Sequence, residues 1–158
     1  MKKWKSQLLW LGCALILTAC GNVSKSDVPA ASSLAQRIAG LDADNNGVRD
    51  DIDAYINTRY SDVSQRAAAL QTARAIQQDL LVDKTDKPAV KLAALAETRA
   101  VHCLFSKFHG PGPLQPSAVS SAIESMTANT KERLSAYLAF SKALNGTTAQ
   151  LPTEDTCD

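Results

Sequence analysis

The sequence predicts an all-α protein, a small helical bundle that opens on a helix–loop–helix. Three observations carry this expectation. No stretch alternates apolar and polar residues with the period of two that a half-buried strand requires. Apolar residues recur instead three and four apart, the spacing that lines one face of a helix. Alanine is abundant, while aromatic residues make up only 5% of the 158 positions, a composition that lets helix axes approach closely.

The elements follow in chain order. Ser32 or Ser33 can cap a short helix carrying Leu34, Ile38 and Leu41 on one side, with Gly40 ending it. After an oxygen-rich loop, Ile52, Tyr55 and Ile56 give the next helix an apolar face. Ser61 or Asp62 starts a longer helix, since Gln65 can complete a capping-box arrangement with Asp62. Its expected stripe is Val63, Ala67, Leu70, Ala73, Ile76 and Leu80, which leaves Arg66, Arg74 and Gln77 to solvent. Residues 83–87 read as a polar turn. Asp86 can cap the following helix, and Pro88 is tolerated in its first turn. Leu92, Leu95, Ala96, Ala100, Cys103, Leu104 and Phe108 are expected to face inward from it. His109-Gly110-Pro111-Gly112-Pro113 ends that helix. Pro116 or Ser117 opens the next, with Val119, Ile123 and Met126 inward. Asn129 is the expected cap of the last, whose stripe is Leu134, Tyr137, Leu138, Ser141 and Leu144 before Gly146. The helical domain is thus expected over residues 32–146, followed by an irregular tail over 147–158.

The stretch richest in chemistry is Asp42-Ala43-Asp44-Asn45-Asn46-Gly47-Val48-Arg49-Asp50-Asp51-Ile52-Asp53. Side-chain oxygens recur at every second residue, and a glycine follows that can take the positive φ of a sharp turn. A hard cation such as calcium takes six to eight oxygens in a flexible cage. Asp42, Asp44 and Asn46 would supply side-chain oxygens, Val48 its carbonyl, Asp50 a direct or water-bridged oxygen, and Asp53 a carboxylate from the next helix. Asp51 is expected to face solvent. An Asx-rich turn with a helix N-cap, needing no metal, accounts for the same residues in another way.

These residues resemble the Asp-x-Asp-x-Asn/Asp-Gly calcium loops of EF-hands, dockerins and thrombospondin type 3 repeats. The likeness covers residues 42–53 and their flanking helices. The twelfth position is Asp53 rather than the bidentate Glu of an EF-hand, as in dockerin-like loops. The eighth, usually apolar and paired with a partner loop, is Arg49. The resemblance therefore implies a single, unpaired calcium loop of weak to moderate affinity, about 10⁻⁵ to 10⁻³ M.

The beginning of the chain reads as an address. Met1 to Lys5 is basic, and the apolar run from Leu8 to Leu17 is short for a membrane span. Leu17-Thr18-Ala19-Cys20 resembles a bacterial lipobox. The resemblance implies removal of residues 1–19, diacylglycerol on the Cys20 sulfur, and N-acylation. The polar, small residues through position 31 then read as a flexible tether. Several buried acyl chains, at about 0.8 kcal/mol per CH₂, would anchor the protein stably. Gly21 and Asn22 follow the cysteine, with no Asp, a pattern similar to outer-membrane sorting signals. The expected location is therefore the bacterial envelope, lipid-anchored and facing the periplasm.

Charge and cysteine usage narrow the function classes. Removing Lys2, Lys3 and Lys5 from the 17 basic residues leaves 14 against 16 acidic ones. With no basic patch, nucleic-acid binding is not expected. Cys13 would leave with the leader and Cys20 would be lipidated, so Cys103 and Cys157 remain. An even pair in an exported protein suggests a disulfide that staples the tail to a helix. His102 beside Cys103 shows no metal or nucleophile spacing, and His109 lies in a loop. Glu97, Glu124 and Glu132 fall on expected solvent faces. No GxSxG, HExxH or phosphate-binding glycine pattern is present, so no enzyme is expected. The leading expectation is an envelope lipoprotein with a structural calcium loop. A second is a periplasmic partner-binding module of the inhibitor or immunity type, using Phe105, Phe108 and the Gly110–Pro116 loop. A third, an envelope-polymer hydrolase, would need a cleft with paired acids.

Overall fold

Six α-helices and one 3-10 turn make up the regular structure of the computed structural model, which describes residues 33–148 and 150–158. The expected leader (1–19), Cys20, the tether (20–31) and Ser32 lie outside the described residues. The helices are α1 (Leu34–Ala39), α2 (Asp50–Arg59), α3 (Val63–Leu81), α4 (Lys87–Lys107), α5 (Pro116–Thr127) and α6 (Lys131–Ala143), and the 3-10 turn spans Gly112–Leu114. The all-α expectation holds, and no strand occurs among the described residues.

Local capping chemistry sets most of the helix starts. The Ser33 hydroxyl accepts from the Gln36 N–H while the Gln36 side chain accepts from the Ser33 N–H, closing a capping box on α1. Asp62 accepts from the Gln65 N–H at 2.9 Å and Asp86 from the Ala89 N–H at 3.0 Å. The Gln65 side chain does not return to Asp62; it donates to the Lys107 carbonyl, tying α3 to the end of α4. The cap of α6 is Thr130 rather than Asn129. Asn129 instead accepts from Arg133 one turn further on.

Helix α3 occupies the centre and packs against all five other helices. That position explains why its expected single stripe holds only at Leu70, Ala73, Ile76 and Leu80 and is too narrow. Val63 is 71% exposed and Ala67 is exposed, whereas Ala68, Ala69, Thr72, Ala73, Ala75, Ile76 and Leu80 are buried. A helix surrounded on most sides buries small residues all round it, and Gln77, expected in solvent, is buried with them. The main core joins these residues to Val48, Ile52, Ile56, Leu104, Phe108, Val119 and Ile123. Tyr60 meets Phe108 edge to face, with ring centroids 5.1 Å apart and planes at 80°. Each fully buried Ile, Leu or Phe here contributes about 1.5–3 kcal/mol by leaving water.

A smaller cluster of Val90, Ala93, Phe140 and Ala143 joins α4 to α6. The expected stripe of α4 stands at Ala100, Cys103, Leu104 and Phe108, which are buried, and fails nearer its start; that of α6 fails more widely. Leu92 and Leu95 on α4, and Leu134 and Leu138 on α6, are about half exposed or more. Ser141 is exposed as well. The interior beside Phe140 is taken by Val90, Ala93 and Ala143 rather than by these leucines. The expected faces of α2 and α5 stand: Ile52, Ile56, Val119 and Ile123 are buried, with Tyr55 and Met126 packed at the margin. On α1, Ile38 packs against the core while Leu34 and Leu41 are exposed.

The tail after α6 is irregular yet docked. Cys157 is disulfide-bonded to Cys103 of α4, with Cα atoms 5.0 Å apart. Thr156, wholly buried, offers its carbonyl to the Gln71 side chain at 2.8 Å and donates its hydroxyl hydrogen to the Arg99 carbonyl at 2.7 Å. That hydroxyl has one hydrogen to give, so His102 Nδ1, 3.1 Å away, must be the donor to it. His102 therefore serves the tail. Arg99–Glu154 and Arg74–Asp158 add two exposed ion pairs.

Two outcomes follow. In urea denaturation, Leu104→Ala should cost about 2–5 kcal/mol, and Leu92→Ala no more than about 0.5 kcal/mol; equal costs would contradict the packing described. Mass spectrometry should find the oxidised domain lighter than the reduced one by two hydrogen atoms, and equal masses would remove the staple. The bond closes a separation of 54 residues, for which the chain-entropy model gives a loss of about 4 kcal/mol on reduction.

Candidate metal site between the first two helices

The loop from Leu41 to Arg49 carries α1 into α2, and its conformation is set by its own side chains. Asp42 accepts from two successive N–H groups, Asn46 at 3.1 Å and Gly47 at 3.0 Å. Asp44 accepts from the Asn46 N–H at 3.2 Å, and Asn46 Oδ1 from the Val48 N–H at 2.8 Å. These are the local bonds for which Asp and Asn are favoured in turns. Asn45 and Gly47 both adopt positive φ, 57° and 82°. Glycine and, among the others, Asn tolerate this best. From the far side Asp50, in the first turn of α2, accepts from the Ala43 N–H at 2.9 Å, and its own N–H returns to the Leu41 carbonyl.

The result is convergence. Asp42, Asp44 and Asp50 each place a carboxylate oxygen within 4.8 Å of the others. Bare, such groups repel by roughly 1 kcal/mol per pair at a dielectric close to that of water. The first turn of α2 holds Asp50, Asp51 and Asp53 at the positive end of the helix dipole, which offsets part of that repulsion. The donor set fits a hard divalent ion: oxygens bound at about 2.3–2.6 Å from a common centre lie up to about 5 Å apart. An N–H already bound to a carboxylate oxygen leaves further lone pairs free on it.

The other expected ligands stand as follows. Asn46 directs its amide nitrogen, not its oxygen, at Asp44 (3.0 Å) and Asp53 (3.4 Å). The amide hydrogens are the positive ends those carboxylates draw, and the Asn46 oxygen is engaged by Val48. Asp53 takes a shorter bond from Asn57, one turn along α2, at 2.7 Å. It is joined to the group through Asn46 rather than placed among the three converging oxygens. Val48 is in the core at 1% exposure. Asp51, expected in solvent, is more than half exposed but accepts both Nε and Nη2 of Arg49, each at 2.7 Å. Those bonds, ahead of the opposing effect of partial burial, hold its carboxyl below the usual range.

Two arginines support the loop. Arg49 is 3% exposed and donates to the carbonyls of Met126 and Thr127 at 3.0 and 3.2 Å. A cation there faces the negative end of α5, so the loop is fastened to a second helix terminus. Arg74, on α3, donates from Nε to the Asn46 carbonyl at 2.9 Å and from Nη1 to Asp158 at 3.1 Å. Its sequence position suggested a solvated face. The charge at the eighth loop position, where calcium loops carry an apolar residue, was the one signal that Arg49 has a separate task.

No protein-family model, curated protein or solved structure matches this chain. Among the described residues no helix is long and apolar enough to cross a membrane.

The loop's tightest constraint is testable. A Cβ at Gly47 would stand 3.0 Å from Arg74 Cγ on a backbone of φ +82°. Gly47→Ala should therefore lower stability by about 1 kcal/mol or more in urea denaturation; an unchanged midpoint would show that the turn is not held as described.

Proposed function

We propose that this protein is a lipid-anchored bacterial envelope protein whose Asp42–Asp53 loop takes up a calcium ion in a structural role. The observation that supports the metal is the approach of the Asp42, Asp44 and Asp50 carboxylates to within 4.8 Å of one another. Asp42, Asp44 and Asp50 would hold the ion. Asn46, Val48 and Asp53 are the further ligands the calcium-loop likeness implies, with Asn46 and Asp53 already linked to the group by hydrogen bonds. The ion would supply charge neutralisation, so that α1 and α2 are fixed about one loop. The Leu17-Thr18-Ala19-Cys20 motif supports the anchor, with Cys20 as the lipidated residue and the outer membrane, on its periplasmic side, as the destination. No catalytic role is assigned to any residue.

A second reading is a periplasmic partner-binding module. Phe105 is 50% exposed and Leu114 37%, a small apolar surface near the α4–α5 connection. Phe108, a candidate for that surface from sequence, is fully buried and does not take part.

Isothermal calorimetry on the domain from Ser24 onward decides the metal reading. Calcium should give a saturable heat with a dissociation constant of about 10⁻⁵ to 10⁻³ M, absent in Asp42→Ala/Asp44→Ala. At free calcium ten times that constant, folding stability should rise by about 1.4 kcal/mol. Equal, featureless traces from both proteins would sink the proposal. Acyl-chain labelling of the full chain, lost in Cys20→Ser, tests the anchor separately.

A further inference from the structure

The group with the poorest surroundings is Asp79, in the second half of α3. It is 0% exposed, and neither carboxyl oxygen meets a hydrogen-bond donor among the described residues. The titratable groups around it come from separate elements. Glu97 faces it from α4, Tyr137 from α6, and Lys84 from the turn after α3. Glu124 of α5 lies near both Tyr137 and Glu97. Asp79 lies on the helix that packs against α4, α5 and α6, with Glu97 and Lys84 as the charged groups that act on it. The Lys84 ammonium does not reach Asp79; it donates to the Leu80 carbonyl at 2.6 Å. Sequence spacing placed Glu97 and Glu124 on solvent faces, whereas both are partly buried.

An ionised carboxylate cannot stay in such a place without a donor or a close cation. A neutral carboxyl costs far less, since it gives up only one or two ordinary hydrogen bonds to water. We infer that Asp79 is a proton-held pin: neutral, it lets α4 and α6 close on α3, and ionised, it forces that contact open. The fold thereby carries an alkaline-sensitive switch that does not depend on the calcium loop or the lipid anchor.

Burial first, and then the charge of Glu97, push Asp79 up to about 9, with Lys84 pulling only partly the other way. Glu97 is raised too, by burial and then by Glu124. The sign follows from comparing folded and unfolded chains. Below the ordinary value of 3.8 both hold the proton and Asp79 costs nothing extra. Between 3.8 and about 9 the unfolded chain has released a proton that the folded chain keeps, so stability falls as pH rises. Above about 9 the folded chain must ionise Asp79, the loss reaches its full size, and the contact of α4 and α6 with α3 loosens.

The test compares the intact protein, in detergent, with Asp79→Asn by denaturant unfolding from pH 4 to 10. The ratio of the two unfolding constants should grow by about tenfold per pH unit across pH 5–8, the slope for one proton, with Asp79→Asn the more stable at pH 7. A ratio constant with pH would overturn the inference. Should Asp79→Asn fail to fold, infrared difference spectra of the wild-type protein decide the matter instead. A protonated carboxyl C=O stretch should be present at pH 7 and lost above pH 9, and its absence at pH 7 would contradict the pin. Amide exchange, corrected for its intrinsic pH dependence, should show α4 and α6 losing protection on the same rise; unchanged protection would reject the opening step.

Discussion

Among the described residues, the end of α1, the acidic loop and the C-terminal tail are all tied to α3. The Gln77 side chain holds the Ala39 carbonyl at the end of α1, Arg74 holds the Asn46 carbonyl in the acidic loop, and Gln71 holds the Thr156 carbonyl in the tail. A central helix spends its own backbone hydrogen bonds within itself, so only side chains can reach the orphan carbonyls of neighbouring turns. Glutamine and arginine are long enough to do so while their stems fill space. The alanines between them serve the opposite need. By adding little bulk, they let five helices approach one axis closely enough for those reaches to succeed.

The acidic loop gains definition from this arrangement. A stretch with five aspartates and two asparagines between residues 42 and 53 has many ways to relieve repulsion by spreading outward. Here it is pinned at three places: Arg74 on the Asn46 carbonyl, Arg49 on the last carbonyls of α5, and the Asp50 N–H on the Leu41 carbonyl. Gly40, at φ +76°, lets the Arg49 side chain pass where any Cβ would collide with it. What results is a set of three carboxylates already convergent before any ligand is considered. Prior convergence favours binding, because less ordering is left to accompany it.

The sequence exposed the parts of the structure where one residue meets one consequence. Helix ends could be read from Ser33, Asp62, Asp86 and the Pro-Gly run because capping is a local bond. The faces of α2 and α5 could be read because each of these helices has a single buried side with large residues on it. Those of α3 and α4 could be read only in part, since Ala73, Ile76, Leu80, Ala100, Cys103, Leu104 and Phe108 are buried as expected while Val63, Ala67, Leu92 and Leu95 are exposed, and that of α6 could not. On α6, Leu134 and Leu138 outweighed Phe140 in any periodic reading, yet Phe140 and Ala143 are the residues buried against α4, and Ala136 packs against the main core. A stripe of alanines has almost no hydrophobic contrast, so its direction is decided by the neighbours rather than by the helix. The spacing of the acidic stretch singled out Asp42, Asp44 and Asp50, which converge in the folded loop. The inward turn of the Asn46 nitrogen, the reach of Arg74 and the isolation of Asp79 were not legible, because each depends on an element far away in the chain.

The most direct examination of a cation-holding loop is a crystal structure of the domain grown in millimolar calcium. An anomalous-scattering peak is expected in the Asp42–Asp53 loop, with oxygens of Asp42, Asp44 and Asp50 at about 2.3–2.6 Å from it. A loop free of such a peak, its three carboxylates turned apart into solvent, would contradict that expectation and leave a helical bundle whose acidic turn is held by hydrogen bonds alone.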